Sequence, residues 1–347
     1  MKINRIELLQ KLQAVAPGLA SRESIEQSSC FVFKGGRVIT YNGEVACFQK
    51  SNLDLTGAVA SGPLLALLDK LPEEDIDLTV GEGELLIKAG KGRRSGIRME
   101  ADAMLPIEDV EKPEGWRDMH EAFNEAVDIA AQCTSKDDSK GFYQTCVHIH
   151  PNHIEACDNY QFARFPVVTG VAKAALIKRE FIKNIAASDM TQVCETKSWM
   201  HFRNAAGLRM SFRLYMDDFP DLDYLLDVKG KPATLPGGLA DAVDKAAVFS
   251  SMNAENDNVM VELRADKMRL TGKSAQGWYK EQQPCKYSGP DINFIIAPKL
   301  LIEITKRTKE CVISEGALKI DTGRWTYISC LGAPDEGPAE KTETTEE

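Results

Sequence analysis

Cys30-Phe-Val-Phe-Lys-Gly-Gly-Arg-Val-Ile-Thr-Tyr41 is a pair of β-branched and aromatic runs divided by two glycines. Glycine reaches positive φ without steric cost, so the pair predicts a tight hairpin with strands Cys30–Lys34 and Arg37–Tyr41. The same device returns twice. It is seen at Cys146–His150 and His153–Cys157 around Pro151-Asn152, and at Val259–Arg264 and Lys267–Thr271 around Ala265-Asp266. Val38, Ile154 and Met268 hold matching positions, a period of about 115 residues, which suits one domain.

The surroundings of the hairpin repeat as well. An amphipathic helix is expected before each: Asn4–Val15, with Ile6, Leu9, Leu12 and Val15 on one face, then Met119–Ala131 and Gly238–Ser250. After each come a short strand and a second helix, at Gly62–Leu71, Lys178–Ala187 and Pro298–Thr308, with Leu65, Phe181 and Leu300 equivalent. Pro63 suits the first turn of its helix. Three further strands close every copy. They are Ile76–Val80, Leu85–Ala89 and Arg94–Met99; Gln192–Glu195, Met200–Asn204 and Leu208–Leu214; and Glu310–Ser314, Ala317–Asp321 and Trp325–Cys330. One order found three times predicts an α+β chain of three repeated domains. Linker-like Lys112-Pro113-Glu114-Gly115 and Gly230-Lys231-Pro232 place the domains at 1–113, 114–232 and 233–332.

Composition agrees with this reading. Of 347 residues, 43% are hydrophobic and 27% charged, as in soluble globular chains. No apolar run is long enough to span a bilayer. The opening MKINRIELLQKLQ carries charges inside its apolar pattern and reads as a helix rather than a secretory signal, so a cytoplasmic protein is expected. The nine cysteines are odd in number, scattered from Cys30 to Cys330 and never spaced C-x-x-C; Cys146, Cys157 and Cys311 stand in apolar strand-like runs. Reduced core thiols are expected. The formal charge of −10 argues at first against a nucleic-acid partner, but the segment 333–347, APDEGPAEKTETTEE, holds six acids and one lysine. That segment is expected to be a disordered acidic tail carrying half the net charge, which leaves room for a local basic surface on the body.

With the repeat laid out, the chain resembles the bacterial β sliding clamps, the processivity subunits of DNA polymerase III, from residue 1 to about 331. Ile154-Glu-Ala-Cys-Asp-Asn-Tyr-Gln-Phe-Ala-Arg-Phe165 is similar to that family's T-D-G-H-R-L-A segment. Asp218-Phe-Pro-Asp-Leu-Asp-Tyr224 is similar to its G-R-F-P-D-Y turn, and Leu239–Ser250 to the opening helix of its last domain. The likeness is stronger in the second and third domains than in the first. It implies two helices backed by antiparallel sheets in each domain, and a head-to-tail homodimer closing into a ring around duplex DNA with helices lining the hole. Pairing of the end domains would also cover the sheet edges that an open chain leaves bare.

The resemblance assigns roles residue by residue. Val248 and Phe249 would meet the partner subunit's edge strand around Ile97 and Met99. Lys178, Arg179 and Lys183 on one helix, and Lys299, Lys306 and Arg307 on another, are spaced to face one way, with Lys11, Lys70 and Lys245 on three of the other helices. Arg22 and the Phe142-Tyr143 pair match loop positions that contact DNA in the family. Such contacts must reach phosphates, because a protein that slides cannot favour a base sequence. A hydrophobic cleft for short peptides of polymerases and the clamp loader would be walled by Cys157, Asn159, Tyr160, Phe162, Pro220, Tyr224, Leu225, Ile328 and Cys330. Two departures leave its peptide preference open. Asn159-Tyr160-Gln161-Phe162 replaces Gly-His-Arg-Leu, and Cys330-Leu331-Gly332 with the acidic tail replaces the ending Met-Pro-Met-Arg-Leu. Such divergence suits a clamp carried by a phage or mobile element.

Enzyme readings find little purchase. Of His148, His150 and His153, two alternate along one strand and the third follows a Pro-Asn turn, with no nearby cysteine or acid at ligand spacing, so no metal is expected. Asp217, Asp218, Asp221 and Asp223 read as a turn around Phe219-Pro220. Gly90-Lys91-Gly92 lacks the frame of a phosphate loop, and no Gly-x-Ser-x-Gly elbow is present. No catalysis and no cofactor are expected, and an α+β hydrolase is disfavoured because catalytic constellations are seldom triplicated. The alternative function is a clamp-like module that binds replication proteins without encircling DNA.

Overall fold

All three predicted hairpins form, and their turns show why. The computed structural model describes residues 1–215, 217–250 and 258–334. Gly35 and Gly36 adopt φ of 59° and 67°, the left-handed region that suits the right-handed twist of the flanking strands. Ala265 and Asp266 take the same path at 45° and 60° without the help of glycine.

The elements follow in three similar rounds. The first holds β1 (Lys2–Asn4), α1 (Arg5–Val15), β2 (Cys30–Lys34), β3 (Arg37–Tyr41), β4 (Val45–Lys50), β5 (Gly57–Ala60), α2 (Ser61–Lys70), β6 (Asp75–Val80), β7 (Glu84–Ala89) and β8 (Arg93–Glu100). The second holds β9 (Arg117–Asp118), α3 (Phe123–Ala131), β10 (Cys146–His150), β11 (His153–Cys157), β12 (Gln161–Pro166), β13 (Ala175–Lys178), α4 (Arg179–Ala186), β14 (Gln192–Glu195), β15 (Trp199–Arg203) and β16 (Arg209–Arg213). The third holds β17 (Lys231–Thr234), α5 (Leu239–Ser250), β18 (Val259–Arg264), β19 (Lys267–Ser274), β20 (Gly277–Pro284), a short extra β21 (Lys286–Tyr287), β22 (Ile292–Ile296), α6 (Pro298–Arg307), β23 (Glu310–Ile313), β24 (Ala317–Asp321) and β25 (Thr326–Cys330). The expected α+β class is therefore observed, with six helices and antiparallel sheets among the described residues.

Three details differ from the sequence reading. Two strands, not one, separate the hairpin from the second helix in the first two rounds, and three do so in the third, counting the short β21. The extra strands lack alternating apolar residues in the sequence: β4 is buried on both faces, while the half-buried positions of β20 are Gly277, Tyr279, Glu281 and Gln283. A short strand also opens each round. Finally, α3 starts at Phe123 rather than Met119, because the Met119 amide donates to the Thr191 carbonyl at 2.9 Å and so continues the sheet.

By contact density the chain divides into two units, Met1–Asp158 with Arg164–Phe219, and Asn159–Ala163 with Pro220–Glu347. In the first unit one sheet runs β1-β6-β7-β8-β5-β2-β3-β4-β16-β15-β14-β9. Its seam is β4 against β16, with Val45 opposite Phe212 and Phe48 opposite Arg209. Beneath that seam the buried Trp199 packs with Val32, Ile39, Tyr41, Phe48 and Val110 and donates its indole N–H to the Asp109 carbonyl at 3.1 Å. The hairpin β10–β11 carries β13 on its other side. In the second unit β25-β24-β23-β17-β21 form one run and β20-β19-β18-β22 a separate sheet. The Asn159–Ala163 segment pairs there with β25, the Cys330 amide donating to the Tyr160 carbonyl at 2.7 Å.

The cysteines are free, and all but Cys30 and Cys330 are buried. Burial pushes the Cys47, Cys157 and Cys311 thiols up to about 12, so they stay protonated and inert in the core. A buried histidine gives a first prediction. His201 is fully buried between the Ser211 hydroxyl at 2.8 Å and the Thr196 hydroxyl at 3.1 Å. Burial, helped by the Arg209 charge, pulls its pKa down to about 4. The unfolded chain thus takes up this proton near pH 6.5 and the folded chain only near pH 4, so stability is full above that window and falls as pH drops through it. The loss by pH 4 is about 3 kcal/mol. Urea unfolding at pH 7.5 and 4.5 should show His201→Gln losing markedly less stability than the wild type; equal losses would disprove it.

Candidate DNA-contacting face and subunit interface

The second helices bring cations together, though fewer stand free than the sequence suggests. In the first unit, Arg179 and Lys183 lie one turn apart on α4. Lys183 is exposed with no carboxylate in ion-pair range among the described residues, and the Arg179 Nε is buried without a hydrogen-bond partner. Both line a cleft of about 330 Å³ together with Lys178 and Lys136, against the acids Asp138 and Glu180. Lys136 was not singled out in the sequence, since a lysine in a polar loop gives no signal until the fold sets it beside α4.

Lys178 departs from its expected role. It ends β13 instead of lying on the helix, and its ammonium donates to Glu44 at 2.7 Å while sitting 5.4 Å from the Tyr215 ring centre. Phe142 and Tyr143 are half-buried in a single 3-10 turn, their rings packed on Tyr215 and Phe219, so they shape the loop more than they offer free faces. Arg22 is exposed in a loop without an ion pair among the described residues.

In the second unit Lys299 is exposed on α6 and has no ion pair among the described residues. Lys306 is joined to Glu303 at 2.7 Å, and the Arg307 guanidinium lies 5.6 Å from the Trp325 ring centre. Lys245 is held by Asp241 at 2.6 Å and Glu281 at 3.6 Å. Exposed pairs of this kind are worth under about 1 kcal/mol, so a phosphate can displace their acids, but they lower the positive field each lysine projects.

The expected dimer seam needs a correction on one side. Ile97 and Met99 are buried within their own chain, each 5% exposed, and so offer no apolar face to a partner. What β8 does offer is backbone. It pairs with β7 along Arg93–Arg98, but with β5 only at Met99 and Glu100, leaving the other edge of Arg93–Arg98 without a strand among the described residues. In the second unit the outer edge of β20 is likewise unpaired among the described residues. Beside it stand Val248 and Trp278, 57% and 64% exposed. Phe249 is half-buried, its ring over Gly277, where a Cβ would come within 2.9 Å. Trp278 was missed in the sequence; β20 occupies the same place in its round as β4 and β12, which is the signal that would have found it.

The expected cleft residues also sort by exposure. In the second unit Tyr160 and Tyr224 are 64% and 73% exposed, Asn159 and Cys330 are exposed, and Pro220 and Leu225 are half-buried. Tyr224 and Leu225 ride on a 3-10 turn, Asp223–Leu226, that is tied down where Lys319 donates to the Leu226 carbonyl at 2.8 Å. Phe162 and Ile328 are buried in the second unit and lie in its core rather than on that surface, and Cys157 is buried in the first unit.

No protein-family profile matches the chain, and no curated protein does. Solved structures do. The chain is similar to a sliding clamp (DNA polymerase III subunit beta) from Pseudomonas aeruginosa, bound to griselimycin, at 16% identity and a TM-score of 0.83, over 96% of this chain and 99% of that one. It is similar to DNA polymerase III beta chains from Streptococcus pneumoniae (17% identity, TM-score 0.81) and Thermotoga maritima (16%, 0.80), each again over 96% of this chain and 99% of the other. The fold is that of the bacterial sliding clamps, along the whole described chain and at strongly diverged sequence.

Proposed function

We propose that this chain is a DNA sliding clamp, built of clamp domains at 1–113, 114–232 and 233–332, whose head-to-tail homodimer encircles duplex DNA. The observation that carries the reading is the repeated strand pairing. The fourth strand of the first round, β4, pairs with β16, the last strand of the second round. The equivalent β12 pairs with β25, the last strand of the third round. Their third counterpart, β20, has no such neighbour among the described residues, and β8, the counterpart of β16 and β25, keeps an edge that none of them covers. A second copy satisfies both at once, β20 of one chain against β8 of the other, and a rotation that closes covers both of these edges.

DNA contact in this reading is weak and blind to sequence, carried by Arg179, Lys183, Lys299 and Arg22 with help from displaceable pairs at Lys178, Lys245, Lys306 and by Arg307. Tyr160, Tyr224, Leu225 and Pro220 offer apolar anchors for short linear peptides of a polymerase and a clamp loader. The protein works in the cytoplasm at the replication site, as a tether and not as a catalyst.

Topology distinguishes this from a module that binds replication proteins without forming a ring. Loaded onto nicked circular plasmid with a clamp loader and ATP, the protein is expected to stay through gel filtration and to be lost within minutes once the plasmid is cut. Equal retention on circular and linear DNA would overturn encirclement.

A further inference from the structure

The hairpin β10–β11 carries an arrangement that clamp function does not use. Its register sets His148 opposite Glu155 and His150 opposite His153, so four side chains share one face of two neighbouring strands. The His148 Nδ1 lies 2.8 Å from Glu155 Oε1, and the His153 Nε2 lies 3.1 Å from the same oxygen. All three donor atoms fall within 4.8 Å of one another. An acid therefore does stand at ligand spacing from the histidines: Glu155 follows His153 by two residues on the same face of β11 and meets His148 across the hairpin.

We propose that His148, His153 and Glu155 form a binding site for a divalent transition-metal cation of the zinc class. Two imidazoles and one carboxylate are a donor set that favours zinc, cobalt or nickel over magnesium or calcium, which prefer oxygen alone. Ligand bonds of about 2.0–2.2 Å place donor atoms roughly 3.3 Å apart in a tetrahedral site, close to the two nitrogen–oxygen separations already present. Both ring nitrogens now aim at a single oxygen, and a cation entering there replaces the two N–H protons that otherwise bridge to it.

The supports of the cluster are those of a pre-set site. Arg164 Nε donates to the other oxygen, Glu155 Oε2, at 2.7 Å, which orients the carboxylate and leaves Oε1 for the metal. The His148 ring is stacked on Phe219 at 4.5 Å and 18°, and the His153 ring on His150 at 4.2 Å and 20°, so neither ring is free to turn. The His148 and His153 side chains are 14% and 20% exposed, giving an entry path and room for water as a fourth ligand, while Glu155 is 3% exposed. The charge of Arg164 opposes a dication, so the site exchanges its metal rather than holding it permanently.

The test is titration of the chelator-stripped full chain with Zn²⁺ by calorimetry and with Co²⁺ by visible absorption, which reports coordination directly. One equivalent should bind to the wild type and to Cys330→Ser, a control for the exposed thiol, and should raise the unfolding midpoint. In His148→Gln with His153→Gln, affinity should fall by more than about a hundredfold. Glutamine can still donate to Glu155, and melting without metal checks that the double variant is folded; His148→Gln alone gives the same comparison with less risk to the fold. No stoichiometric binding to the wild type, or binding unchanged in the histidine variants, would overturn the site and leave a hydrogen-bonded cluster only.

Discussion

A chain carrying Val248→Asp and Trp278→Asp together is expected to fold normally and remain a monomer at concentrations where the wild type is a dimer. Both side chains are more than half exposed in the single chain, so their replacement removes no contact from its core. In the proposed ring they are covered by the partner's first domain, and an aspartate trapped there has neither water nor a counter-ion. The penalty is several kcal/mol, and about 3 kcal/mol already weakens a dissociation constant more than a hundredfold. Ile97→Asp makes the contrast. Ile97 is buried in its own chain, so that change is expected to unfold the first unit instead of yielding a stable monomer. Light scattering with a circular-dichroism melt separates the two behaviours. A wild type that is monomeric at micromolar concentration, or a double variant that still dimerises, would remove β20 from the seam.

Arg179→Ala with Lys183→Ala is expected to weaken DNA contact for every sequence alike and to flatten its salt dependence. Each phosphate contact contributes about −0.9 to the slope of log K against log salt, so losing two should flatten it by about 1.8 units. The pair is chosen because the cleft beside α4 gathers Lys136 and Lys178 around the same two residues, and because neither Arg179 nor Lys183 holds a carboxylate that its loss would strand among the described residues. Dimerisation should persist. Lys245→Ala serves as the comparison: with Asp241 and Glu281 already neutralising it, its slope change should be well below one unit. An unaltered slope in the Arg179/Lys183 variant would mean that α4 does not face the DNA.

How much of this was legible beforehand depends on the range of the interaction involved. The hairpin at Cys30–Tyr41 could be read directly, because paired glycines and β-branched flanks act within twelve residues of chain. The helices could be read from apolar spacing, and the threefold order of elements from simple recurrence, which together were enough for the α+β class and the likeness to clamps. Strands β4 and β20 could not, since one is buried on both faces and the other, though its exposure alternates, does not set apolar residues at every second position of its sequence. The acidic tail lies, from Asp335 onward, outside the described residues.

The candidate sites needed the third dimension most. Sequence by itself determined which residue types were available: lysines and arginines on the second helices, apolar residues at the end of α5, aromatics in the Asn159–Phe162 and Tyr224 segments. Tertiary structure decided which of them are at liberty to act. Lys178 is paired to Glu44 across 134 residues of chain, a partner no local pattern can reveal. Ile97 and Met99 alternate as a strand should, but which face is buried depends on what packs over it. The open edges of β8 and β20 exist only because no strand stands beside them among the described residues, and Glu155, two residues from His153 on β11, also meets His148 only because the register of β10 and β11 brings the two together. Local propensity sets the elements, whereas charge pairing, burial and strand neighbours are set by contacts between residues far apart in the chain.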